Sequence, residues 1–447
     1  MASAADQFAA NINLGAFGKA TELKKRLWFT LGALIIYRLG TYIPLPGIDP
    51  NILAEIYQQQ AGGILGVFNM FAGGALERMT LFALSIMPYI SASIIMQLMA
   101  AVSPKLEALK KEGESGRKKL NQYTRYGTVL LAAVQAYGIA VGLEGMTGSA
   151  GSAVIDPGAF FRISTVISLT GGTIFLMWLG EQITQRGVGN GISLIIFTGI
   201  VAELPAAFAQ TMDLGRTGEL PTLLILGLIV MVVGVIGFVV FVERAQRRII
   251  VQYPKRQQGN RMTGGESSHI PLKLNTSGVI PPIFASSLLL LPLTVAGFSA
   301  GQGPDWLTTA TAYLGHGQPL YIVFYISLIV FFCFFYTAIV FNPVDTADNL
   351  KKYGGFIPGI RPGKNTADYL DYVLTRLTVI GAAYLAIVCL LPELLISRFN
   401  VPFYFGGTSL LIVVSVTMDT VAQIQSHLLA HQYEGLIRKS KLRGRRG

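Results

Sequence analysis

Apolar residues in this chain run in long blocks rather than alternating or recurring along one face of a helix. Ten blocks close to 20 residues long stand out, at about 27–43, 79–101, 124–143, 161–180, 188–209, 221–242, 276–297, 319–341, 374–396 and 403–424. A 20-residue helix rises about 30 Å, the thickness of a bilayer's hydrocarbon core. The pattern therefore predicts an all-α polytopic membrane protein with ten transmembrane helices. Gly and polar residues interrupt three of the blocks, 188–209, 374–396 and 403–424.

Composition narrows the class. Of 447 residues, 52% are hydrophobic and 13% charged, roughly half the ~25% charge of globular chains. That excludes a soluble globular chain and a disordered one. Cys333 and Cys389 both lie in apolar runs, which excludes a disulfide scaffold or a CxxC metal site. Residues 1–18 lack the long apolar core and A-x-A site of a cleavable signal peptide. Lys19, Lys24, Lys25 and Arg26 precede the first block, as expected for a retained, cytoplasm-facing start.

Basic residues orient the spans. With the N-terminus inside, 30 of the 35 Lys and Arg residues fall on the inner side. Only Arg78, Arg162, Arg216 and Arg398 fall outside, and Arg38 lies within the first span. This is the positive-inside bias, and it predicts that both termini are cytoplasmic. Five spans on either side of Gly215 suggest an N-terminal half, 1–215, and a C-terminal half, 216–447. An odd number of spans per half makes such halves inverted in the membrane. No clear internal repeat is visible, so the symmetry follows from the count alone.

No enzymatic site, metal site or cofactor motif stands out. The histidines are His269, His316, His427 and His431. The last two are spaced i, i+4 but lack a Glu-x-x-His or cysteine partner, and read as surface or interfacial. The stretch GVGNGI (187–192) lacks the Lys-Ser/Thr and the strand that a phosphate cradle needs. Arg38 is read as the one charge well inside a span, whereas ion-coupled carriers hold buried Asp, Glu or His. That disfavours a secondary transporter of a small solute, which stays as the alternative, beside a membrane scaffold or insertase without a pore. A passive conduit energised from outside the chain fits better.

Three local features carry more. Residues 64–72 (ILGVFNMFA) lie between Gly62-Gly63 and Gly73-Gly74, and nine helical residues rise only about 13 Å. Spacing alone leaves two readings, a re-entrant half-helix beside a cavity or an amphipathic helix on the outer surface. Ile86 and Ile90 bracket Met87-Pro88-Tyr89, Ile192 and Ile196 follow Gly-Asn-Gly, and Ile283 follows Pro281-Pro282. Periodicity alone does not separate these isoleucines from ordinary core or lipid-facing ones. Finally, inner loops 243–275 and 345–370 are basic. Topology explains their charge, but not Arg361 set between Gly359-Ile360 and Pro362-Gly363, where the backbone is constrained. A basic face would suit RNA phosphates or an acidic protein partner.

At these same stretches the chain closely resembles the SecY family, the channel subunits of the bacterial protein translocase. The matching motifs include IPLPGID (43–49), FNMFAGGAL (68–76), SIMPYISASIIMQLM (85–99), KKEGESGRKK (110–119) and QYTRYGT (122–128). They continue with MWLGEQIT (177–184), GVGNGISLIIF (187–197), FVERAQRRI (241–249), GVIPPIFASS (278–287), FFCFFYTAIVFNP (331–343), GFIPGIRPG (355–363) and VPFYFGGTSLLIVV (401–414). The match runs essentially end to end, broken mainly at outer loops.

The resemblance implies two inverted five-helix halves around a central pore that conducts unfolded polypeptide and releases transmembrane segments sideways. Its constriction would be a ring formed by Ile86, Ile90, Ile192, Ile196, Ile283 and Ile412, dry enough to resist ions. A plug at 64–72, with Phe68, Asn69, Met70, Phe71, Gly73 and Gly74 on it, would block the outer funnel, its glycines acting as hinges. Spans 79–101 and 276–297 would form one side of a lateral gate, with Gln97 and Asn275 as polar contacts. Arg361, and less directly Arg256 and Arg248, would dock the SecA ATPase or the ribosome, with ribosomal RNA in reach of the basic loops. Implied partners are SecE and SecG, signal sequences, nascent or unfolded polypeptides, and membrane lipids, at the bacterial cytoplasmic (inner) membrane. Pro281-Pro282 departs from the family pattern, and the second proline is expected to alter the bend of the gate helix.

Overall fold

The computed structural model describes residues 21–60, 69, 72–145, 147–148, 151–218, 221–253, 256–258, 261–263, 267–297, 318–399 and 407–443. The chain begins with α1 (Thr21–Gly40), α2 (Pro50–Gln60), α3 (Met87–Val102), α4 (Pro104–Lys111) and α5 (Glu114–Gly145). A small pair, β1 (Thr147–Gly148) and β2 (Gly151–Ser152), leads to α6 (Ala159–Arg186), α7 (Gly191–Thr217) and α8 (Thr222–Arg244). Strands β3 (Gln246–Gln252), β4 (Arg256–Gln258), β5 (Arg261–Thr263) and β6 (Ser267–Lys273) follow. The chain continues with α9 (Ile280–Gly297), α10 (Pro319–Val340), α11 (Pro343–Lys352), α12 (Lys364–Phe399) and α13 (Gly407–Arg443).

A helix stands at each of the ten predicted blocks. Among the described residues, seven helices are long and apolar enough to cross a membrane, and α3 with α4, bent by 99° at their junction, makes an eighth if the pair is one span. Three boundaries differ from the prediction. Block 79–101 becomes helical only at Met87, because residues 73–86 form a series of turns. Block 276–297 becomes helical at Ile280, which puts Pro281 and Pro282 in the first turn. There the missing N–H would have no intrahelical partner in any case, so the expected bend is corrected to a helix start. Helices α12 and α13 run well beyond their apolar blocks, starting at Lys364 and ending at Arg443 respectively.

The chain divides into two compact units, 1–205 with 416–447, and 206–415. In the first, α5 and α6 pack along their lengths, α3 lies on α5, and α1 lies on α6. Ion pairs close the α5–α6 pair at both ends. Arg125 donates from Nε and Nη2 to the two carboxylate oxygens of Glu181 at 2.9 and 2.6 Å, and Arg162 donates from the same two nitrogens to Oε2 of Glu144 at 2.8 and 2.6 Å. Two-point guanidinium–carboxylate contacts fix orientation as well as distance, so this pair is held in register against sliding. The turn segment 73–86 wedges into the same unit. Phe82 stacks on Tyr37 of α1 and on Phe175 of α6, and a Cβ at Gly172 would stand 2.1 Å from the Leu81 carbonyl. In the second unit α10 packs between α9 and α12, and α11 lies on α12.

Candidate functional site

The stretch GVGNG between α6 and α7 is a sewn turn. Thr30 Oγ1 accepts from the Val188 N–H at 3.0 Å, Gln423 Oε1 from Gly189 at 2.9 Å, and Thr184 Oγ1 from Gly191 at 2.9 Å. Asn190 caps α7 through the Ile192 N–H at 3.1 Å. Those backbone donors are committed to side chains of the same unit. The turn also seats two of the singled-out isoleucines, Ile192 and Ile196, one helical turn apart at the start of α7. Ile196 is buried, while Ile192 is half-buried beside Gly180 of α6.

The other isoleucines sit in comparable places. Ile86 immediately precedes α3, which starts with Met87-Pro88, and Ile90 follows one turn later, its N–H donating to the Ile86 carbonyl at 3.2 Å. Both are buried. In the second unit, Ile283 is buried in the first turns of α9, next to Phe284, whose ring meets Phe332 and Tyr336 of α10 edge-on. Ile412 is buried near the start of α13.

Of the plug residues, Phe68, Met70 and Phe71 lie outside the described residues, as does most of 64–72. Asn69, Gly73 and Gly74 are buried. The Asn69 carboxamide accepts from the Glu77 N–H at 2.9 Å and donates to its carboxylate at 3.3 Å. Arg38 Nη1 donates to the Gly73 carbonyl at 2.7 Å, and the Tyr37 hydroxyl to that of Ala72 at 3.4 Å. Gly73 and Gly74 have φ of +64° and +78°, open to glycine without strain. They also permit close packing, since a Cβ at Gly73 would meet Gly199 Cα of α7 at 2.9 Å. Arg38 is not the sole charge inside a predicted span. Glu203, within block 188–209, lies beside Gly74, on the side of it that the Arg78 guanidinium also approaches. Reading charges block by block would have found it.

Gln97 on α3 donates to Ser93 Oγ at 3.2 Å, one turn back along its own helix. Asn275 is nearly fully buried and joins the end of α8 to the approach to α9. Its Nδ2 donates to Glu243 at 2.7 Å and to the Gly278 carbonyl at 3.0 Å, and its Oδ1 accepts from Ser277 at 3.0 Å.

The two basic loops form one body within the second unit. Strands β3 and β6 pair antiparallel from Gln246–Lys273 to Gln252–Ser267. Their inward residues Ile249, Val251 and Leu272 bury against Leu370, Val373, Leu374 and Leu377 of α12. The second loop enters this cluster through Ile357, and Gln252 and Phe356 exchange backbone hydrogen bonds at 2.9 and 3.0 Å. A turn follows at Ile357-Pro358-Gly359-Ile360, closed by the Ile360 N–H on the Ile357 carbonyl at 3.0 Å. Proline second and glycine third, at φ +84°, suit a type II turn. Arg361 comes next, its carbonyl accepting from Thr366 Oγ1 at 3.0 Å while its side chain stays exposed. Backbone constraint beside Arg361 is present in the turn at Pro358-Gly359, behind an exposed guanidinium. Arg248, opposite Pro271, is exposed too. Arg256 stands on β4 opposite Thr263. On α4, Lys111 hydrogen-bonds Glu107 at 2.8 Å, one turn back, and holds its carboxyl below the usual range.

Fold and site define a helical membrane protein of many spans, carrying an anchored basic body outside them. The family model for SecY matches residues 80–421. The protein translocase subunit SecY of Escherichia coli K12 is 58% identical over 430 residues, covering 96% of this chain and 97% of that one. That of Vibrio cholerae is 57% identical, covering 95% and 96%. Among solved structures, one described as a protein conducting channel aligns with a TM-score of 0.62 at 19% identity, over 91% of this chain and 92% of that one. Sec61 in a canine ribosome–channel complex aligns at 0.58 and 18%, with the same coverage. The chain belongs to the SecY family.

Leu374→Ala should open a cavity beneath the hairpin and destabilise the loop body by about 2–5 kcal/mol, the usual range for a buried leucine. Limited proteolysis should then cut 246–273 faster while the α5–α6 pair stays protected. Unchanged cleavage would show that the cluster does not hold the hairpin.

Proposed function

We propose that this chain is the channel-forming subunit of a bacterial protein translocase, conducting unfolded secretory polypeptides across the cytoplasmic membrane and releasing transmembrane segments into lipid. The observation that carries this reading is identity of 56–58% to translocase subunits along nearly the whole chain. A conduit of this kind needs no catalytic residue. Burying each CH₂ of an apolar segment is worth about 0.8 kcal/mol, so a channel that opens toward lipid lets partitioning sort its clients. The transporter alternative has no support from the relatives.

The residue roles belong to the same proposal. Ile86, Ile90, Ile192, Ile196, Ile283 and Ile412 form the constriction, whose apolar surface disfavours water and therefore ions. Residues 64–72 form the plug, and Gln97 and Asn275 belong to the lateral gate. The functional halves are 1–215 and 216–447, inverted in the membrane, with both termini cytoplasmic. Arg361, Arg256 and Arg248 serve the SecA ATPase or the ribosome, and SecE and SecG complete the complex. An exposed guanidinium on an anchored turn suits docking, because little backbone entropy is lost when a partner binds. Relatives in fold include channels bound to ribosomes, which supports the ribosome as a partner.

Photocrosslinkers at Ile86, Ile192, Ile283 and Ile412 should each capture a secretory chain stalled in transit. A stalled chain that reaches none of the four would remove the constriction from the proposal. Separately, Arg361→Glu should lower SecA-driven export in reconstituted vesicles at least tenfold while the protein still inserts, as folding assays can verify. Export at the parent rate would end the docking assignment.

A further inference from the structure

Four charged side chains gather where the turn segment 72–80 rests on its neighbours in the first unit. Arg38 comes from α1, Glu77 and Arg78 from the segment itself, and Glu203 from α7. Together they are neutral, and each is only partly exposed. A Cβ on Gly74 would lie 2.6 Å from Glu203 Oε1 and 3.3 Å from Arg78 Nη2. The carboxylate and guanidinium thus converge on one backbone position that only a glycine leaves open. Arg38 binds the Gly73 carbonyl, and both guanidinium groups lie over the Tyr42 ring, at 5.0 and 4.4 Å. Among the described residues, Arg78 Nη1 is buried without a hydrogen-bond partner. Met79 and Ser85 hold left-handed φ of 42° and 50°, a conformation that side chains other than glycine adopt only when tertiary contacts enforce it.

We infer that Glu203 is the counter-charge that latches this segment in its seat, and that the latch sets the closed state of the channel. Two arginines in a partly desolvated site repel each other and need carboxylates beside them. Glu77 moves with the segment and cannot tether it to another element. Of the two acids, Glu203 is the one on a different helix, so its charge ties the segment to α7, beside the close approach of Gly73 to Gly199. Removing its charge leaves two cations facing one acid, and the segment is then released more often.

The inference rests on the channel and plug reading, and its test is kept distinguishable from the test of that reading. In the full chain reconstituted in lipid nanodiscs, Glu203→Gln should speed amide exchange across 72–80 at least tenfold. In vesicles the same variant should raise resting ion leakage several-fold. The exchanged pair Glu203→Arg with Arg78→Glu should return both toward parent values, which a merely structural loss at either position would not. Unchanged exchange in Glu203→Gln, or an exchanged pair that behaves no better than the single variant, overturns the latch. Deleting 64–72 tests the plug by itself, since leakage unchanged by that deletion overturns the plug reading whatever Glu203 does.

Discussion

The constraint on which this structure depends is the absence of water for the backbone inside a bilayer. Every N–H and C=O at membrane depth must find a partner within the protein, and helices meet that demand segment by segment. The informative places are those where the chain leaves the helix and is still buried. Between α1 and α3 the chain pairs with itself through Leu45 on Met79, Leu81 on Ile43 and Thr80 on Ala75. Between α6 and α7 the donors go to Thr30, Gln423, Thr184 and Asn190. Ahead of α9, Asn275 carries out the same task.

Charge follows the same logic. Ion pairs at the two ends of α5 and α6 lie where the helices leave the apolar layer, and they fix register without placing charge in its middle. The cluster around Gly74 is different, because it brings opposite charges from separate elements to one point. Such a cluster is costly to break and weak as a source of net stability, properties that suit a catch better than a strut.

Placing both basic loops in one body gives the outer arginines a fixed frame. The apolar cluster under β3 and β6 contains residues from three separate stretches of chain, 249–272, 357 and 370–377. Arg361 is therefore displayed by a turn whose own residues reach into that cluster. Exposure of the side chain and rigidity of its backbone come from the same contacts.

Block length was enough to read where the helices lie, because hydrocarbon thickness and backbone pairing leave few alternatives. Local chemistry also pointed to a constrained backbone around Arg361, since Pro and Gly restrict φ without outside help. Helix starts were less legible. The turns over 79–86 are as apolar as a span, and stacking of Phe82 between Tyr37 and Phe175 shows why they stay unwound. The prolines at 281 and 282 looked like a bend until the helix was seen to begin beside them. Glu203 passed unnoticed as one charge in a long apolar block, since its significance lies in the residues it meets. Sequence alone thus determined the helical blocks, the class and the family motifs, which depend on properties of contiguous residues. The convergence of Glu203 and Arg78 on Gly74, the shared body of the two loops and the places where helices begin were decided by tertiary structure. Each depends on contacts between residues far apart in the chain.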